Sequence, residues 1–351
     1  MKTVVYFSDF TQDLVNERAW KEAVQRETGA GQVFAVMSGN YLQNGLPAAE
    51  SAGIRAQRAM AAGVDMVLEM SLYASLSSIG IYGYSAARMM DKLGCVDELV
   101  LETEDATLAQ LTEAAFVLIG NSRDFSQKVS HFKKSGLPFY KAQARAMADA
   151  VEDGERIMSS WYNIFAVECI KALKIMYSNI KCRCVPKRDM PKKQCHVTQK
   201  LSDYLEYQIC FSKHRLSDIY GGYEALTESI LKNQNSFESF LTFADKIAGN
   251  TKDLFDIRKY FLRLLCGMMK SDVSIWRMYD FSPYGSVYTG NKAVFEAVSS
   301  LSNLLLLFKE PGKENDGLSA DVLSMLNRSK QELWEMERQA QKLYQLQMKE
   351  R

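Results

Sequence analysis

Histidine is almost missing from this chain. Only His131, His196 and His214 occur in 351 residues. None lies four residues from another, and none follows a strand-like run in the first half. That argues against a catalytic triad, a paired-imidazole metal site and histidine-borne proton transfer, all of which need imidazoles brought together. Proline is scarce too, at 6 residues, and no segment is of low complexity, so nothing points to disorder. Neither sign of charge dominates: 43 Lys and Arg face 42 Asp and Glu, a formal net charge of +1. A generic nucleic-acid binder would be more basic, so any phosphate-tracking surface would have to be a local patch.

Long apolar runs are absent as well. The best, "LSNLLLLF", is far shorter than the ~18 residues of a membrane span, so no membrane partner is expected. The start, "MKTVVYF", lacks a small-residue cleavage site and reads as a first strand rather than a signal peptide. The 7 cysteines are odd in number and scattered. They fit the reduced thiols of a cytoplasmic protein better than a disulfide framework. Cys182 and Cys184 lack zinc-knuckle spacing and a second pair, so no metal site is expected. There is no P-loop and no strand-linked G-x-G-x-x-G.

What is present is alternation. A length of 351 residues suggests about two domains. Up to about residue 190, apolar strand-length runs (Thr3–Phe7, Gln32–Met37, Val64–Glu69, Glu98–Leu101, Ile180–Val185) alternate with helical patterns near 14–27, 52–62, 77–92, 105–119 and 161–177. Fully apolar strands separated by helices predict an α/β, Rossmann-like parallel sheet covered on both faces. Gly63 and Gly94 stand where helix-ending glycines belong. After about residue 195 the strand signals fade, and "LSDYLEYQICF", "YEALTESILKN", "FESFLTFADKIAG" and "DLFDIRKYFLRLLCGMM" are apolar at helical spacing. The expected organisation is a Rossmann-like domain over residues 1–192 and an all-helical domain over 193–351. A last helix is expected from Ser319 to Lys349. Its heptad positions Leu326, Leu333 and Ala340, with Met336 and Leu343, offer either an intramolecular docking face or a homodimer seam.

The candidate site lies in "VFAVMSGNYLQNG". A buried strand ends at Ser38-Gly39-Asn40, where ligands bind in such sheets. Glycine between two small polar residues lets backbone N–H groups approach an anion, and Asn40 both donates and accepts. A plain polar turn explains the pattern equally well. Asn163 caps a helix or faces the pocket. Arg183, inside the strand-like "IKCRCV", needs an anionic partner, either a ligand phosphate or a carboxylate. Glu102 and Glu104 are paired carboxylates at a strand end, suited to acid–base chemistry or to solvation.

These residues carry a resemblance. "AVMSGNYLQNGLPA" with Arg55 and Ala56, then "AGVDMVLEM", "LGCVDELVLETE", "YNIFAVECIKALK", "IKCRC" and "DIYGGYEALTESILKN", resemble the bacterial tRNA(Met) cytidine acetate ligases of the HIGH-type nucleotidyltransferase group. The resemblance runs on through "GNTKDLFDIRKYFLRLL" to the last helix. It implies a Rossmann-like nucleotidyltransferase domain followed by a helical domain. It further implies ATP-dependent activation of acetate to acetyl-adenylate, then acetyl transfer to the wobble cytidine of elongator tRNA(Met). ATP and tRNA are thus the expected ligand and partner. Ser38, Gly39, Asn40, Asn163 and Arg183 match family positions around the nucleotide.

The departures are concentrated at the phosphates. The family's first loop carries a His-x-x-His; the stretch that falls on it is Asp9 to Glu17, with Leu14 and Glu17 in place of both histidines. Leucine cannot donate a hydrogen bond and glutamate repels a phosphate. At about 3 kcal/mol for each preorganised donor, losing two would slow catalysis on the order of 10⁴-fold. Ser51-Ala52-Gly53 stands where the family has a lysine, and Glu102 where it has a glycine. No catalytic residue is therefore assigned. Two readings follow from the resemblance: a ligase-type fold with catalysis lost or altered, or a non-catalytic binding or regulatory protein.

Overall fold

The strand pattern builds one seven-stranded sheet. The structure, a computed structural model, describes residues 1–188, 197–249, 253–312 and 326–348. The strands are β1 (Thr3–Phe7), β2 (Gln32–Ser38), β3 (Met66–Met70), β4 (Glu98–Thr103), β5 (Lys181–Pro186), β6 (Gly285–Tyr288) and β7 (Leu306–Lys309), in spatial order β5-β4-β1-β2-β3-β6-β7. Every neighbouring pair is parallel except β3 with β6. From β1 the chain runs outward to β2 and β3 on one side, then returns to place β4 on the other. Between β1 and β4 the winding reverses, and a crevice opens beyond their carboxyl ends.

Period-two alternation assigns the two faces. Val4, Tyr6, Val33, Ala35 and Met37 lie under helices α1 (Leu14–Thr28) and α2 (Ala52–Ala61). Val5, Phe34, Val36 and Leu68 join the larger core on the opposite face. A one-turn helix, α3 (Leu72–Ser75), follows β3 and leads into α4 (Ile79–Leu93). Along α4, Gly83 has no room for a side chain: a Cβ there would come 2.8 Å from the Cβ of Glu168. Glycine thus lets α4 and helix Trp161–Ile175 lie backbone to backbone. Gly94 ends α4 in the left-handed region at φ 70°, as its place in the sequence predicts.

The C-terminal half is largely helical, and each of its four apolar periodic stretches forms a helix (Gln199–Phe211, Glu224–Asn233, Phe240–Ala248, Leu254–Cys266). It also lends β6 and β7 to the sheet. At four residues each these strands are too short for a period to register in the sequence, and β7 coincides with the "LLLLF" run. The expected boundary at 192/193 lies outside the described residues, as do 319–325 of the last helix; its described part is Arg328–Met348. Leu326, Leu333 and Ala340 are each 3% exposed and face their own chain. Tyr73 donates to the Leu333 carbonyl and Tyr41 to that of Ala340. The heptad stripe is thus spent on intramolecular docking. Among the described residues, no helix is long and apolar enough to cross a membrane.

Buried cations fasten the helical half to the loops beyond the sheet. Lys259 donates to the Gln43 side chain at 3.1 Å and to the Ser77 carbonyl at 3.0 Å. Arg263 donates to the carbonyls of Leu76 at 2.7 Å and Tyr220 at 3.0 Å. Asp280 accepts from Lys92 at 2.7 Å, Arg88 at 3.1 Å and Tyr84 at 2.9 Å. Burial alone would raise the Asp280 carboxyl, but Lys92, Arg88 and Tyr84 together hold it below its ordinary 3.8. A carboxyl lowered by folding stabilises the protein above its unfolded value and loses that effect as pH falls through the folded one. Asp280→Asn, which tolerates the residue's φ of 54°, should therefore cost about 1–3 kcal/mol near neutrality. Urea denaturation should show that difference shrinking as the pH is lowered past 3.8.

Candidate functional site

Helix α1 opens at the crevice beyond β1, a position that would ordinarily present free N–H groups to an anion. Here the chain supplies its own. Asp13 is the N-cap, and its carboxylate accepts from Asn16 N at 2.9 Å and Asn16 Nδ2 at 2.7 Å. Leu14, the first helical residue, is 37% exposed and offers no donor. One turn on, Glu17 is fully buried. Its carboxylate accepts from Ser8 Oγ at 3.2 Å, Gln12 N at 3.4 Å and Arg188 Nη1 at 3.3 Å.

Arg188 bridges Glu17 to Glu102 at the carboxyl end of β4. Its Nε and backbone N each donate to Glu102 at 3.0 Å, and its Nη2 lies 2.8 Å from the same carboxylate. The guanidinium lies over Trp20, 4.6 Å from the ring centroid. Burial raises the Glu17 carboxyl, and Arg188 acts against that rise. Tyr6 is 1% exposed, and burial first, then the charge of Glu17, pushes its hydroxyl pKa up. Its hydroxyl and the Trp20 Nε1 are buried with no hydrogen-bond partner among the described residues. Two carboxylates and one cation thus converge where the strand order reverses, and the cation is taken.

The Ser38-Gly39-Asn40 loop is also closed from within. Ser38 N donates to Asp9 Oδ1 at 2.8 Å, and Ser38 Oγ pairs with Tyr82 OH at 3.2 Å. Asn40 Oδ1 accepts from Ala52 N at 2.8 Å, while its Nδ2 donates to Gln341 of the terminal helix. Gly39 backs onto Glu69, whose Oε1 would lie 2.8 Å from any Cβ there. Fully buried Arg55 gathers the loops by donating to the carbonyls of Asp9, Ser38, Gly39 and Glu50. The space left between this loop, Glu69, Lys309 and the terminal helix is about 60 Å³, room for a few waters.

The remaining candidates do not meet there. Asn163 neither caps its helix nor faces this pocket. It clamps the backbone after β4, accepting from Glu104 N and donating to Glu104 O, both at 2.8 Å. Arg183 has a carboxylate partner: Nε donates to Glu98 at 2.6 Å, at the opposite end of β4 from the crevice. An edge-strand arginine with a carboxylate on the next strand has this partner in reach. Glu102 and Glu104 do not form an acid–base pair, since Glu102 holds Arg188 and Glu104 holds Lys187 and Ser160. Burial pushes the Cys182 thiol up to about 12 and that of Cys184 to about 11, so both stay protonated. His131 and His214 are exposed, and His196 lies outside the described residues.

Sequence reasoning missed Arg188 and Gln341. For Arg188 a signal existed: a Lys187-Arg188 pair directly after a strand's carboxyl end. Gln341 had none. Removing a buried partner strands its opposite charge, so Arg188→Ala should destabilise the fold by about 3–5 kcal/mol. Adding Glu17→Gln to that variant should restore part of the loss, a coupling measurable by urea denaturation of all four chains.

Comparison with known proteins agrees with this architecture. A family described as HIGH Nucleotidyl Transferase matches residues 21–194. The tRNA(Met) cytidine acetate ligase of Thermoanaerobacter sp. is 32% identical over 155 residues, which is 44% of this chain and 39% of that protein. The match to this relative therefore spans about two fifths of its length. The Clostridium novyi protein of the same name is 22% identical over 367 residues, 86% of this chain and 90% of that one. A crystal structure of Thermotoga maritima TmcAL bound with alpha-thio ATP superimposes with a TM-score of 0.83 at 18% identity, covering 99% of this chain and 94% of the other. Its apo form gives 0.84 at 17%. At that identity the likeness speaks for the fold. Together with the Met-Ser-Gly-Asn block, these matches make the chain similar to the tRNA(Met) cytidine acetate ligases and, over residues 21–194, to the HIGH nucleotidyltransferases.

Proposed function

We propose that this chain is a non-catalytic member of its family, a nucleotidyltransferase fold that serves in binding or regulation rather than in activating acetate. The observation that carries this reading is the Glu17–Arg188–Glu102 cluster at the strand-order reversal. A triphosphate placed there would meet three carboxylates, those of Asp13, Glu17 and Glu102. The Arg188 guanidinium is already neutralised. Each such carboxylate opposes charge build-up on a departing pyrophosphate, where a catalyst places donors. The ATP implied by the relatives does not fit this donor set.

The ligase reading retains one support, the intact Ser38-Gly39-Asn40 loop. Its hydrogen bonds run to the chain's own Ala52, Asp9 and Gln341, so its presence does not require a ligand. A tRNA partner follows only from the relatives, and the near-neutral charge lends it no independent weight.

The test is incubation of the full chain with ATP, acetate and elongator tRNA(Met). The expected result is neither pyrophosphate release nor acetylcytidine, with no ATP binding heat in calorimetry. Pyrophosphate release that depends on Asn40 would return the chain to the ligases.

A further inference from the structure

Glu17 is held as a ligand would be held. We propose that the crevice beside β1 is a small-oxyanion socket whose occupant is tethered: the Glu17 carboxylate fills it, and a free phosphate or small carboxylate takes its place when that side chain is removed. The proposal builds on the reading above, that the phosphate side of the fold is closed from within.

Three donors of different origin converge on this carboxylate: a hydroxyl from Ser8 at the end of β1, a backbone N–H from Gln12 in the following loop, and the Arg188 guanidinium from beyond β5. Convergence of a backbone amide, a hydroxyl and an arginine is how oxyanions are recognised. Two further buried donors near the cluster are unused. Tyr6 OH, on a side chain 1% exposed, and Trp20 Nε1 are both buried beside the cluster with no partner among the described residues. Such orphans are rare, and they mark a place able to satisfy a further acceptor. Trp20 also floors the guanidinium, fixing its plane.

Glu102 sets the chemical class. It binds Arg188 from the far side, so one negative charge remains after Glu17 is gone. A small mono- or divalent oxyanion is tolerated beside it, whereas a polyphosphate adds repulsion that the already paired Arg188 guanidinium cannot offset. The site therefore suits inorganic phosphate or a formate-sized carboxylate.

The experiment compares thermal midpoints of the full chain in sodium phosphate, sodium formate and sodium chloride at matched ionic strength. Relative to the wild type, Glu17→Ala should gain about 2–4 °C in phosphate or formate over chloride, because an anion bound only by the folded state stabilises it by mass action. Glu17→Gln, which is neutral but still fills the socket, should show no such gain. Arg188→Gln added to the alanine variant should abolish it. A larger response to phosphate identifies a tetrahedral guest, and a larger response to formate a planar one.

An equal response of wild type and Glu17→Ala would overturn the proposal, as would a gain that survives Arg188→Gln. Should the alanine variant not fold in chloride, its refolding yield from urea is compared in the same salts. A yield that phosphate and formate leave unchanged overturns the socket. That failure leaves the non-catalytic reading standing, whereas pyrophosphate release by the wild type would sink that reading and leave the socket untouched.

Discussion

A carboxylate taken fully out of water must find a cation or give up its charge, and Glu17 finds Arg188. Much of the site's character depends on that pairing. Arg188 comes from beyond an edge strand, Glu17 from the first helix and Glu102 from the end of β4, so one guanidinium joins three separate elements around the crevice. Such a cluster adds little net stability over an apolar packing of the same volume, because desolvating three charges is expensive. What it does supply is a fixed, internally neutral filling for a crevice that this class of sheet otherwise leaves to a ligand.

The rest of the chain is arranged to hold that end of the sheet still. Arg55 reads four backbone carbonyls and pins the loops after β1 and β2 together. From the helical half, Lys259 and Arg263 reach back to Gln43, Ser77 and Leu76. The terminal helix then lies across the Ser38-Gly39-Asn40 loop and completes the side-chain valences of Asn40. These contacts are between parts of one chain and are available with no ligand bound. A site that must open for a substrate draws on the less stable end of a structure; this one is buttressed from the opposite half of the chain.

Most of the fold was legible in the sequence because its signals are local. Five of the seven strands carry apolar runs long enough to read, and Gly63 and Gly94 mark helix ends that the backbone confirms with φ of 91° and 70°. β6 and β7 escaped because four residues carry no period, and because β6 pairs antiparallel with β3 from more than two hundred residues away. The site was less legible for a related reason. Ser38, Gly39, Asn40, Asn163 and Arg183 are the right kinds of residue near the right strands, but their partners are set by tertiary placement. Arg183 looks toward Glu98 because β5 happens to flank β4, and nothing in "IKCRCV" says so. Arg188 could have been suspected as a cation just past a strand end, whereas Gln341 owes its role wholly to where the last helix docks.

The retained loop also shows why a persistent motif is weak testimony for a persistent ligand. Asn40 has two hydrogen-bonding ends, and both are used on the chain itself, one on Ala52 N and the other on Gln341. Gly39 lies so close to Glu69 that any Cβ there would have to push the Glu69 carboxylate aside, whatever approaches from the other side. Asn163 is spent on the backbone of Glu104. Each residue would be hard to replace even in a protein that never met a nucleotide, since its loss would leave a buried polar group unmatched or force a clash. Leu14, by contrast, touches solvent and serves no such structural duty. Positions that once answered only to a ligand are free to change when the ligand goes, while positions that also hold the fold are not.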